Sequence, residues 1–258
     1  MNKKSCTYWI KTYWIGTMTQ MLVVCVVVFL LRFFKIAYPP FLNLIFLAIG
    51  GTSSAVWGSI VSKKANRVNT YKEILFDFFA VKQPITYYGL PLLFLSILFG
   101  VSILTGKTLE GVMWYTFPIC FIQAIVFGGI EEIGWRYTFQ PLLEKKIPYE
   151  MASIVTFISW GLWHYLYFYI TDSVASIEHT TFLLGLLVSC FVLGAIYHLT
   201  HSLWLCVLYH CLLNTFSQTL EPNGKVWGMM SSIICILLAI VMVRKKEQDD
   251  DFKRESKN

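Results

Sequence analysis

Charge is what this sequence has least of. Of its 258 residues, 14% are Asp, Glu, Lys or Arg and 56% are hydrophobic, where a soluble domain carries roughly 25% and 45–50%. With a mean hydropathy of +0.60, the chain is neither an ordinary soluble enzyme nor a disordered protein. Paired cysteines are also missing. The seven cysteines stand singly, form no CxxC and lie mostly within apolar runs, which excludes a zinc ribbon and a disulfide scaffold. There is no Gly-rich phosphate loop, internal repeat or second domain. The low charge argues against nucleic acid as a partner.

What the sequence does have is long apolar runs. A bilayer core needs roughly 20 apolar residues per helix, and eight stretches qualify: 13–34, 41–61, 85–105, 113–140, 151–170, 180–199, 203–220 and 226–243. The expectation is an all-α polytopic membrane protein of about eight transmembrane helices, one domain over 1–258, with the bilayer as partner. The first run is too long for a signal peptide, and Arg32-Phe33-Phe34-Lys35 follows it in place of a small-residue cleavage site. It reads as an uncleaved anchor, entered through Tyr8, Trp9, Tyr13 and Trp14.

The 21 Lys and Arg residues orient the chain. With eight spans and a cytoplasmic N-terminus, only Arg32, Lys35, Lys107 and Lys225 fall on the far side and Arg136 falls inside a span. The rest, including Lys3, Lys4, Lys63, Lys64, Lys145 and Lys257, gather on one side. That bias puts both termini in the cytoplasm of a cell-membrane protein and makes anionic lipid the partner of the net charge of +6. Residues 71–81 read as a short interfacial helix. The charged tail, 244–258, reads as disordered.

Three ionisable residues interrupt the fourth run: Glu131, Glu132 and Arg136. At a helix centre each costs about 2.5–3.5 kcal/mol, so the three cost of order 8–10 kcal/mol unless something offsets or uses them. Glu132 and Arg136, four apart on a helix, can pair. Glu131 has no comparable local partner, the situation that suits a carboxylate to acid–base work. His164 lies in the fifth run, and His210 and Asn214, four apart, lie in the seventh. At 1.5 Å per residue Glu131, His164 and Asn214 sit ~18–21 Å from the charged ends of their runs and His210 ~12 Å. Depths that close allow one shared polar site, which leaves fewer unpaired groups than three separate defects.

A Glu and two His either hold Zn²⁺ with an open water position, through Glu131, His164 and His210, or polarise water directly. Asn214 and His210 can donate to a developing oxyanion. No Ser or Cys stands out as a nucleophile. His179, His198 and His201 read as loop or interfacial residues.

Glu131-Glu132-Ile-Gly-Trp-Arg136 resembles the EExxxR motif of the CPBP family, which comprises the type II CAAX prenyl endopeptidases and the bacteriocin-processing and immunity (Abi) proteins. Trp160-Gly-Leu-Trp-His164 resembles the second motif, FxxxH, with Trp in place of Phe. His210-Cys-Leu-Leu-Asn214 resembles the third, HxxxN. The ordered set covers roughly 85–243; the first two spans add nothing to it. The resemblance implies an intramembrane CAAX-protease-like fold opening toward the cytoplasm. In it Glu131 and His164 activate water, His210 and Asn214 stabilise the oxyanion, and Glu132, Arg136 and Trp160 support the site. The expected function is an intramembrane endopeptidase acting on a hydrophobic or membrane-anchored peptide. The alternative is a non-catalytic immunity or partner-binding protein on the same scaffold.

Overall fold

The computed structural model describes residues 5–255; Lys3, Lys4 and Lys257, which enter the charge bias, and the last three residues of the tail lie outside them. In chain order, α1 (Cys6–Phe33) is followed by α2 (Pro40–Gly51), α3 (Ser53–Lys64), a short α4 (Tyr71–Phe78) and α5 (Ile85–Thr105). The next span is broken. Its α6 (Thr116–Phe127) gives way to a 3₁₀ turn (Gly129–Glu131), a three-residue α7 (Glu132–Gly134), a π turn (Trp135–Phe139) and α8 (Gln140–Glu144). Then come α9 (Tyr149–Thr171), α10 (His179–Thr200), α11 (Leu203–Thr219) and α12 (Lys225–Glu255).

Local chemistry sets these boundaries. Ser5 and Ser202 accept from the Tyr8 and Leu205 amides at the starts of α1 and α11, and Pro39, Pro84 and Pro148 precede α2, α5 and α9. Glu178 caps α10 through the Thr181 amide at 2.6 Å, and hydrogen bonds from the Thr181 side chain and amide hold its carboxyl below the usual carboxylate range. Thr70 and Glu73 form a reciprocal cap on α4. A helix is thus present where a short one was expected over 71–81, but it ends at Phe78, with Ile74 and Phe78 inward and Leu75, Phe76 and Phe79 outward.

Among the described residues, six segments are long and apolar enough to cross a membrane: α1, α2 with α3, α5, the broken span, α10 and α12. The chain is a multi-pass membrane protein. The other two expected spans are helical but different in kind. With 17 residues, α11 is short for a crossing, and α9 dilutes its apolar residues with Ser, Thr, Trp, Tyr and His.

Two expectations need correction. The tail is helical to Glu255, because elongating an existing helix requires no new nucleus and Lys246 pairs with Asp250 one turn on at 3.0 Å. Arg244 also ties it to Glu150 of α9 at 2.7 Å. Nor does Tyr13 belong with Tyr8, Trp9 and Trp14 at the entry of the first span, because it is fully buried. Tyr13 of α1 stacks on Phe139 at 4.9 Å and meets Trp135 edge-on at 5.6 Å. On α3, buried Ser54, Gly58 and Ser62 form a stripe at spacing four against the broken span. A Cβ on Gly58 would stand 2.7 Å from the Gly134 Cα, and one on Gly134 would stand 2.5 Å from the Tyr13 hydroxyl. His198, far from this seam, is half-buried beside Glu144 at 2.9 Å.

Candidate active site

The site begins with two glycines. A Cβ on Gly128 would come within 2.7 Å of Asn214 Nδ2 and 3.1 Å of His210 Nε2, and one on Gly129 within 2.9 Å of Val207. Hydrogen there lets the end of α6 lie directly against α11, so that the backbone meets both polar residues of the HxxxN stretch. The helix tightens into its 3₁₀ turn and carries Glu131 and Glu132 inward, 4% and 0% exposed. Neighbouring spans satisfy the irregular backbone, as membrane depth requires. Ser54 Oγ reaches the Glu131 carbonyl at 3.4 Å. In the π turn, Thr138 Oγ1 lies 2.9 Å from the Ile133 carbonyl and 2.8 Å from Ser62 Oγ. Single π turns recur at functional sites.

The two carboxylates have separate partners. Glu132 Oε1 lies 2.6 Å from His210 Nδ1, and its Oε2 is 3.6 Å from Arg136 Nε. The expected ion pair is therefore present, but it is not a hydrogen bond: among the described residues Glu132 Oε2 and Arg136 Nε and Nη1 have no hydrogen-bond partner. The guanidinium instead lies over the Trp160 ring at 4.2 Å, a cation–π contact, and reaches the Ser189 carbonyl at 3.4 Å. Glu131 Oε2 accepts from Trp160 Nε1 at 2.7 Å, and no cation pairs with this carboxylate among the described residues.

Trp160 joins the three motifs. Its ring centroid is 5.1 Å from that of His164 and 5.5 Å from that of His210. Both histidines have a defined tautomer when neutral. His164 Nδ1 faces the Trp160 carbonyl at 2.9 Å and His210 Nδ1 faces a carboxylate; both partners only accept, so each Nδ1 carries the hydrogen and each Nε2 keeps its lone pair. His164 and Asn214 are half-buried and the other named site residues are buried. Glu131, His164, His210 and Trp160 thus come together from three distant stretches, with Asn214 beside His210 at Gly128.

A zinc ion fits this arrangement only in part. The Nδ1 bonds are those that metal-bound histidines make. Yet among the described residues no three His, Cys, Asp or Glu side chains form a group able to hold an ion, so the expected set of Glu131, His164 and His210 is not a ready three-ligand site.

Residues 112–216 match the family model described as type II CAAX prenyl endopeptidase Rce1-like. This stretch, less than half of the chain, is similar to an Rce1-like domain. It contains Glu131, Glu132, Arg136, Trp160, His164, His210 and Asn214, and it begins inside the stretch of resemblance read from the sequence. No curated protein sequence matches the chain.

Several residues that pack around the site were not read as part of it in the sequence. Ser53 accepts from Trp163 Nε1 at 2.8 Å, and Tyr13, Ser54 and Gly58 press on Gly134 and the Glu131 segment. The Ser54-Gly58-Ser62 spacing was a legible signal for the packing. The pairing of Glu132 with His210, 78 positions apart, left none.

Proposed function

We propose that this chain is an intramembrane endopeptidase that hydrolyses a peptide bond in a hydrophobic or membrane-anchored peptide. The observation that carries the reading is the environment of Glu131: a carboxylate 4% exposed, held by one neutral donor and set apart from the Glu132–Arg136–His210 cluster. The Rce1-like match over 112–216 supports the same class of reaction.

Glu131, with His164 Nε2 as a second acceptor, takes a proton from water, and the resulting hydroxide attacks the scissile carbonyl carbon. The tetrahedral oxyanion receives hydrogen bonds from the Asn214 amide and from Nε2–H of His210 in its protonated form, which Glu132 steadies at Nδ1. The proton held by Glu131 passes to the amide nitrogen as the C–N bond breaks, releasing an amine and a carboxylate. No step passes through a metal.

The basic residues at one set of helix ends support cytoplasmic termini. The test is hydrolysis in ¹⁸O-labelled water by the purified chain in liposomes, with a pool of hydrophobic peptides. One ¹⁸O in each new carboxyl terminus is the expected result; intact peptides overturn the reading.

A further inference from the structure

One residue touches Glu131, Arg136, His164 and His210 alike. Trp160 donates its Nε1–H to Glu131 Oε2 at 2.7 Å, and its main-chain carbonyl accepts from His164 Nδ1 at 2.9 Å. Its ring carries Arg136 at 4.2 Å and meets His210 at 5.5 Å. We propose that Trp160 is a positioning residue that sets Glu131 and His164 in register for water activation, a role that rests on the hydrolytic reading above.

The chemistry of indole fits the task. It donates and has no lone pair with which to accept a proton, so it fixes one carboxylate oxygen without competing for the proton Glu131 must take. A distance of 2.7 Å is that of a charge-assisted bond. With Oε2 engaged, Oε1 is the oxygen left for water. The carbonyl of the same residue, one helical turn before His164, holds that ring with Nε2 free. Arg136 cannot replace this donor, because its charge is matched to Glu132 at 3.6 Å. A phenylalanine at this position keeps an aromatic ring and the carbonyl, and removes the bond to Glu131 together with part of the indole's packing.

The experiment is Trp160→Phe, measured for turnover and for the bond itself. A lost hydrogen bond to a charged group predicts a fall in kcat of about ten- to a hundredfold. KM should stay within about twofold, since the bond orients a reacting group and not the peptide. The unfolding temperature should fall only modestly, because the smaller ring still fills most of the space. The second readout needs no activity. In ¹⁵N-indole spectra of the full chain, the resonance that disappears in Trp160→Phe should shift in Glu131→Ala, and also in Glu131→Gln should the first variant fail to fold. Wild-type kcat in Trp160→Phe, or a resonance indifferent to residue 131, overturns the proposal. A wild-type chain that cleaves nothing overturns the hydrolytic reading and the positioning role together, while a shifted resonance would leave the bond itself standing.

Discussion

The two halves of the buried cluster are built on different terms. In the half around Glu132, the Arg136 guanidinium lies at 3.6 Å and the His210 ring at 2.6 Å. In the half around Glu131, the preceding residue, the partners are a neutral indole and, beyond it, the His164 ring. Adjacent residues in one broken helix thus have opposite electrostatic settings. Charge next to Glu132 is matched by Arg136 within the core, whereas among the described residues no cation forms an ion pair with Glu131. The break at Gly128 and Gly129 makes the difference possible, since it brings α11 to one acid and leaves the other facing α9.

This contrast can be broken by substitution. The largest effect is expected from His164→Ala, a general acid–base group in the uncharged half. Turnover should fall about 10²- to 10⁴-fold while unfolding temperature and membrane insertion stay at the wild-type level; unchanged turnover would remove His164 from the reaction. In the charged half, Glu132→Ala should act first on stability, costing about 3–5 kcal/mol because it strands the buried Arg136 guanidinium. The double variant Glu132→Gln with Arg136→Met should recover most of that stability, measured by unfolding in detergent. Its turnover should stay low, because His210 Nδ1 has lost its carboxylate. Full recovery of both would mean that Glu132 serves Arg136 alone.

Much of this was legible in the sequence, and the illegible part has physical causes. Apolar runs placed the long helices because bilayer thickness fixes a length that composition alone can fill. The motif spacings placed Glu131, His164, His210 and Asn214 at compatible depths. They could not show which acid faces which ring, since adjacent residues on a regular helix point about 100° apart and the observed helix is not regular. A 3₁₀ turn followed by a π turn changes that arithmetic, and only the Gly128-Gly129 pair hints at it. The first two spans carry no catalytic side chain and so drew no attention, although Ser54, Gly58 and Ser62 fit the small-residue spacing of a close helix contact. The charged tail failed for the opposite reason: composition suggested disorder, while the Lys246–Asp250 spacing already allowed a helix.

The central claim is that the carboxylate in the uncharged half moves the proton of the attacking water. Its most direct measurement is the cleavage rate of purified Glu131→Gln beside wild type, in the same liposomes with the same hydrophobic peptide. The amide keeps an acceptor for Trp160 and cannot take the proton. The account predicts a folded, membrane-inserted protein whose rate has fallen at least about 10²-fold. Cleavage at the wild-type rate by that variant would contradict it.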